Sequence, residues 1–162
     1  MGWRRSRLVM NRLQLGSHLL AQIEDAARAA APMECCGLLI GVGRRVTRAV
    51  ASANKAAEPN RFELDARVHL RWQRDLRGRD EQIIGIYHSH PGGLARPSST
   101  DLAAAIYPGW IWLITALSPN PAKKAGSAAA MGQDACVTTA WLHRPEGSFE
   151  PVEISLIDGR LE

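Results

Sequence analysis

Residues 85–101 read GIYHSHPGGLARPSSTD, and this stretch carries most of what the chain says about its fold. At its N-terminal side, Gln82 to His90 is apolar and β-prone, with Ile83, Ile84, Ile86 and Tyr87, so a buried strand is expected. Pro91 to Pro97 reads as a loop and Ser98 to Tyr107 as a short helix. His88 and His90 stand two apart at the strand tip, which sends both side chains to one face. Two imidazoles placed this way can converge on one cation at about 2.0–2.1 Å from each nitrogen. Asp101 falls at the start of the helix, where its charge meets the positive end of the dipole. Two nitrogens and one carboxylate leave the fourth vertex of a tetrahedral zinc to water, the composition of a catalytic site. Zinc suits that donor set better than magnesium or calcium, which prefer oxygen shells. A plainer reading competes: Ser98-x-x-Asp101 also matches a capping box. Capping leaves the two histidines unexplained.

Outward from this stretch the pattern is of alternating short elements. Arg12 to Leu15 is a short first strand. From Ser17 to Ala31 apolar residues recur at helical spacing, with Ser17 as the expected N-cap, and Pro32 ends the helix. Cys36 to Gly41 (CGLLIG) is a buried strand, Gly43-Arg44 a turn, and Arg45 to Ala53 a second strand. Asp65 to Arg79 is a helix with Val68, Trp72 and Leu76 on one stripe among arginines. Trp110 to Leu117 is a strongly apolar strand. Ser118 to Gln133 reads as a long mobile loop. Ala135 to Leu142 and Phe149 to Ile157 are two closing strands around the turn Arg144-Pro-Glu-Gly. Strands mixed with about three helices predict an α/β or α+β domain built on a mixed central β-sheet.

Composition narrows the class. The chain has 162 residues, 46% hydrophobic and 22% charged, enough for one globular core. Its 9 prolines and 14 glycines follow no period, which excludes collagen-like chains, and the apolar content excludes disorder. The longest apolar run, near Ile106 to Leu117, is broken by Pro108 and Gly109, so no membrane span is expected. Three cysteines cannot all pair, which favours a reducing, cytoplasmic setting. The net charge of +4 comes from 20 basic and 16 acidic residues. Arg4, Arg5, Arg7 and Arg12 all precede the first acid, Glu24, so the rest of the chain balances. Residues 1–10 are therefore read as a basic extension without the apolar core of a signal peptide. Residues 11–162 are read as the single domain. Neither nucleic acid nor a membrane is expected as a partner, and a monomer or homodimer is expected.

Glu34, then His88-Ser-His90, seven residues, Ser98, two residues and Asp101 together resemble the JAMM motif of the MPN/JAB1/Mov34 metallopeptidases. The likeness is greatest to compact prokaryotic members, whose chains often carry a segment like Pro32-Met-Glu-Cys-Cys-Gly-Leu-Leu-Ile-Gly41 ahead of a GIYHSHP strand. It covers residues 11–157. The resemblance implies a cytidine-deaminase-like MPN fold and one zinc held by His88, His90 and Asp101. It implies that Glu34 takes a proton from water and passes it to the leaving amine, and that Ser98 donates to the developing oxyanion. It also implies amide or isopeptide hydrolysis at the C-terminal Gly-Gly tail of a ubiquitin-like or sulfur-carrier protein.

That scheme needs no covalent intermediate, so Cys35 and Cys36 are not required as nucleophiles. Alternation puts only one of them on the face of the histidines. Cys136 is expected in the core, as are Trp110, Trp112 and Trp141, which also suit a groove wall. His18, His69 and His143 lack partners at ligand spacing and are read as structural or exposed. Two alternatives stand beside the peptidase: a non-catalytic MPN interaction module, and a zinc hydrolase of small molecules. Deaminases of the second kind use a Cys-x-x-Cys pair, whereas the cysteines here are adjacent.

Overall fold

The run of residues buried from Cys36 to Gly41 and again from Gly85 to His90 sets the centre of the molecule. The computed structural model describes residues 11–118 and 134–158. Its elements, in order, are β1 (Arg12–Gly16), α1 (Ser17–Ala30), β2 (Cys36–Val42), β3 (Arg45–Ser52), α2 (Ala66–Asp75), β4 (Gln82–Pro91), α3 (Ser99–Ala104), β5 (Ile111–Ser118), β6 (Ala135–His143) and β7 (Phe149–Ile157). The strands lie side by side in the order β1-β3-β2-β4-β5-β6-β7 and close into a barrel, β7 running parallel to β1 from Arg12↔Glu153 to Gly16↔Ile157. β4 and β5 are also parallel, as the helix between them requires. β2 is antiparallel to both of its neighbours. The mixed sheet with three helices agrees with the fold class read from the sequence.

Strand alternation divides the apolar residues between two faces. On one, Leu13, Leu15, Leu39, Tyr87, Leu113 and Leu142 pack with Leu19 and Ile23 of α1. On the other, Leu38, Ile40, Ile86 and Trp112 pack with Leu76, and Val68 and Trp72 of α2 lean against them. Gly37 is needed where these layers meet: a Cβ there would lie 2.4 Å from the Tyr87 ring and 2.2 Å from the Val50 carbonyl oxygen.

Several expectations change. Ser17 does not cap α1, because β1 runs into the helix with no loop between. The capping position falls on Gly16, which is extended at φ −65° and ψ 136°, and Ser17 instead donates to Asp158. α2 is shorter than the span to Arg79: Asp65 caps its start by accepting from the Arg67 N–H, and the chain leaves the helix toward Gly78, at φ +73°. The helix read as Ser98 to Tyr107 keeps only Ser99–Ala104, with Ser98 as its cap. Cys136 is half-buried on β6, not in the core, and of the three tryptophans only Trp112 is fully buried. The basic extension and nearly all of the loop read at Ser118 to Gln133 lie outside the described residues. No helix among the described residues is long and apolar enough to cross a membrane.

Candidate metal centre

The end of β4 delivers His88 and His90 to the face opposite α1, and the first turn of α3 brings Asp101 up to them. All three are buried: His88 is 0%, Asp101 4% and His90 9% exposed. His88 Nε2 and His90 Nε2 are 2.9 Å apart. Asp101 places Oδ1 3.2 Å from His88 Nε2 and Oδ2 3.1 Å from His90 Nε2. Donors bound tetrahedrally at 2.0–2.1 Å would stand about 3.3 Å from one another, so the observed separations come within a few tenths of an ångström of a shared ion. His90 Nδ1 lies 2.7 Å from the Leu94 carbonyl oxygen, so it is that nitrogen which carries the hydrogen and donates. The lone pair of Nε2 is then left facing the other two groups, the usual way an imidazole ligand is oriented from behind. His88 Nδ1 has no hydrogen-bond partner among the described residues. Its ring is held by stacking on Phe62 at 4.3 Å between centroids and by the edge of Trp112 at 5.5 Å. Two acceptor nitrogens and a carboxylate aimed at one point are a donor set for a cation, and zinc fits it.

The charges follow from this packing. Burial pushes His88 below its ordinary range, against the opposing pull of Asp101. Burial also opposes charge on His90, but the Asp101 carboxylate and the Leu94 carbonyl outweigh it and raise its pKa. Asp101 is held well below the carboxylate range: burial is overcome by both histidines and by the Ser98 N–H.

The competing capping reading also holds. Ser98 Oγ accepts from the Asp101 N–H at 3.1 Å, and Asp101 Oδ2 accepts from the Ser98 N–H at 2.8 Å. The same carboxylate therefore closes the capping box and faces the histidines. The cap fixes its aim. Among the described residues Ser98 Oγ has no acceptor, so its O–H is available to donate.

Glu34 sits just before β2, 5% exposed. It lines, together with His90 and Ser98, a cleft of about 470 Å³. Burial lifts its carboxyl to about 7, with His90 opposing the shift and Asp101 adding to it. Two residues that the sequence reading passed over hold it. Buried Ser89, between the two histidines but pointing the other way, accepts the Cys35 N–H at 2.8 Å, and its own N–H donates to the Cys35 carbonyl at 3.1 Å. Asn54 donates to the Glu34 carbonyl at 3.0 Å while its side-chain oxygen accepts the Ala56 and Glu63 N–H groups. The signal for Ser89 was its place in a His-x-His strand, since alternation commits it to the opposite face. Asn54 offered only the general habit of Asn of organising turns.

The cysteine question resolves by register. Cys36 pairs with His88 across β2 and β4 and so shares the histidines' face, while Cys35 packs against the α1 layer. Burial pushes the Cys36 thiol up to about 12, which keeps it protonated and inert at neutral pH. Of the other histidines, His143 is buried and His69 half-buried against Tyr107 and Trp110. His18 is exposed. Among the described residues, His88, His90 and Asp101 are the one group of His, Cys, Asp and Glu side chains spaced to share an ion.

Comparison with known proteins places these features in context. Residues 16–129 match the family of prokaryotic homologs of the JAB domain. A desampylase of Haloferax volcanii is 35% identical over 99 residues, which cover 59% of this chain and 71% of that protein. A CysO-cysteine peptidase of Mycobacterium tuberculosis is 36% identical over 84 residues, and the match spans 51% of this chain and 58% of that protein. Among solved structures, a Desulfitobacterium hafniense protein superposes with a TM-score of 0.71 at 28% identity, covering 91% of this chain and 94% of that one. A JAB1/MPN domain protein of Archaeoglobus fulgidus shares the fold at 20% identity and a TM-score of 0.53, over 90% of this chain and 97% of that one.

Proposed function

This chain belongs to the prokaryotic JAB-domain family, and on that premise we propose that it is a zinc-dependent peptidase or isopeptidase cutting an amide bond after the C-terminal glycines of a ubiquitin-like or sulfur-carrier protein. The observation that carries this reading is the convergence of His88, His90 and Asp101 at 2.9–3.2 Å beside a cleft that also holds Glu34 and Ser98. Relatives named desampylase and CysO-cysteine peptidase support the substrate class.

His88, His90 and Asp101 would hold the metal, which when bound supplies an acidified water and polarises the scissile carbonyl. Glu34, lifted to about 7 by burial, is suited to accept a proton near neutral pH and return it to the departing amine. Ser98 lines the same cleft, and its O–H would donate to the oxygen on which charge develops. The cleft is lined by Pro59 and Asn60 on one side and by the loop after β4 on the other, and a tail of glycines would have the backbone freedom to lie in it.

The test is hydrolysis. Zinc-loaded protein incubated with a ubiquitin-like carrier extended beyond its Gly-Gly should release the extension, read by intact mass. Glu34→Gln should retain the metal and lose at least about a hundredfold in rate. Near-normal turnover by that variant removes Glu34 from the mechanism, and an inert wild-type protein against both peptide-linked and lysine-linked carriers removes the hydrolase reading.

A further inference from the structure

Residues 92–97 (GGLARP) join the tip of β4 to the cap of α3, and Gly93, Leu94, Arg96 and Pro97 line the cleft. Gly92 stands at φ +76° and a second glycine follows it, so this loop gains little rigidity from its own sequence. Backbone bonds hold its start: the Gly92 N–H donates to the Leu117 carbonyl at 3.3 Å, and the Gly93 N–H to the His90 carbonyl at 3.2 Å. Further along, two side chains among the described residues hydrogen-bond to it. His90 gives its Nδ1–H to the Leu94 carbonyl at 2.7 Å, and Thr139 on β6 gives its hydroxyl proton to the Ala95 carbonyl. Register places Thr139 for this contact. His88 pairs with Ile114, and Ile114 with Thr139, so Thr139 lies two strands from His88 on the same face. Trp141, two residues on, donates its indole N–H to Thr139 Oγ1 at 2.9 Å. With a lone pair taken up in this way, the hydroxyl proton is directed at Ala95, and the two bonds polarise one another. No hydrogen bond joins Thr139 to His88, His90 or Asp101 among the described residues.

From this we propose that Thr139 is a positioning residue of the metal centre: by holding the Ala95 carbonyl it holds the Leu94 carbonyl, and so sets the aim of the His90 ring. The inference rests on the metal-dependent reading and extends it to a strand outside the sequence motif. The link is short. The Leu94 carbonyl fixes which nitrogen of His90 carries the hydrogen and leaves the lone pair of Nε2 as the donor. Ala95 is the next residue, so a single peptide unit separates the carbonyl that Thr139 holds from the one that His90 uses. Without the Thr139 hydroxyl, the His90 backbone stays in β4, but the acceptor that orients its ring is free to shift with the loop. A hydroxyl on β6 thus acts on a ligand of β4 through a segment that its glycines leave pliable.

The test is the zinc affinity of the full-length chain, measured by competition with a chromophoric chelator, which needs no substrate. Thr139→Val keeps the shape and removes the hydroxyl. It should weaken zinc binding at least about fivefold, short of the 10–100-fold typical when a direct partner of a ligand is lost. Thr139→Ser restores the hydroxyl and should return most of the affinity. Thr138→Val is the control, because its hydroxyl bonds Thr115 on the opposite face, and it should bind zinc as the wild type does. In long-range proton–nitrogen NMR of the zinc-loaded proteins, the His90 Nδ1–H should exchange with solvent faster in Thr139→Val than in wild type or Thr139→Ser. Unchanged affinity in a folded Thr139→Val protein, an equal loss in Thr138→Val, or a serine variant as weak as the valine one overturns the assignment. Should Thr139→Val not fold, Trp141→Phe carries the test: it removes the donor that directs the hydroxyl and should weaken zinc binding by a smaller factor, and unchanged affinity overturns the assignment. Zinc binding that depends on Thr139 in a chain that cleaves no carrier would sustain this inference and refute the hydrolase reading. A wild-type chain without zinc affinity overturns both.

Discussion

At the scale of single residues, Ser98 and Asp101 each hold two positions at once. Asp101 Oδ2 receives the Ser98 N–H and faces His90, while Ser98 Oγ receives the Asp101 N–H and keeps a proton to give. Ser98→Ala should therefore act in two separable ways. Loss of the cap lowers stability by about 1 kcal/mol. Loss of the donor lowers kcat by about 10²–10³ with KM little changed. Steady-state kinetics beside thermal melts separate the two, and a pure KM effect would contradict the proposed oxyanion role. The pairing of His88 with His90 was legible because a strand has a fixed period of two. Which cysteine shares their face was not: Cys35 and Cys36 are adjacent, and the parity is set by the register Cys36↔His88, a property of two strands together. The anchoring of the loop after β4 was equally hidden, because it depends on the contacts of Leu94 to His90 and of Ala95 to Thr139 on β6.

At the scale of elements, the sequence indicated what each segment is better than where each ends. Every strand and helix expected in the described residues is there, with ends moved by up to four residues. The ends moved where backbone geometry decides them: Gly16 at the junction of β1 and α1, and Gly78 past α2, at φ +73°. α2 also offers a test of its own start. Asp65 caps it, pairs with Arg67 at 2.8 Å and approaches Lys55 at 3.7 Å. The hydrogen bonds and charge of Arg67 hold its pKa well below the carboxylate range. A depressed folded-state pKa contributes stability that is fully present above the unfolded value, near 4, and is lost as pH falls through the folded one. Asp65→Asn keeps a capping side chain but removes this charge. Its melting temperature should fall below wild type at pH 7, and the gap should close as the pH drops below about 4. A gap independent of pH would mean that the charge contributes nothing.

At the scale of the whole molecule, the least legible feature is closure. β1 meets β7 in parallel, from Arg12↔Glu153 to Gly16↔Ile157, a pairing between the two ends of the described chain that no local pattern announces. The consequence reaches the site. With β2 and β4 central and buried, the strand tips carrying Cys36, His88 and His90 stand on a rigid floor, and α3 and the 54–64 segment are fitted over it. Metal content reads that arrangement directly, by elemental mass spectrometry on the full-length chain dialysed against zinc and then against metal-free buffer. The expected result is about one zinc per chain, retained in Glu34→Gln and lost in His88→Ala and in His90→Ala while circular dichroism still reports a folded barrel. A folded wild-type chain that keeps no zinc, or that keeps it equally when either histidine is gone, would contradict the account at its root.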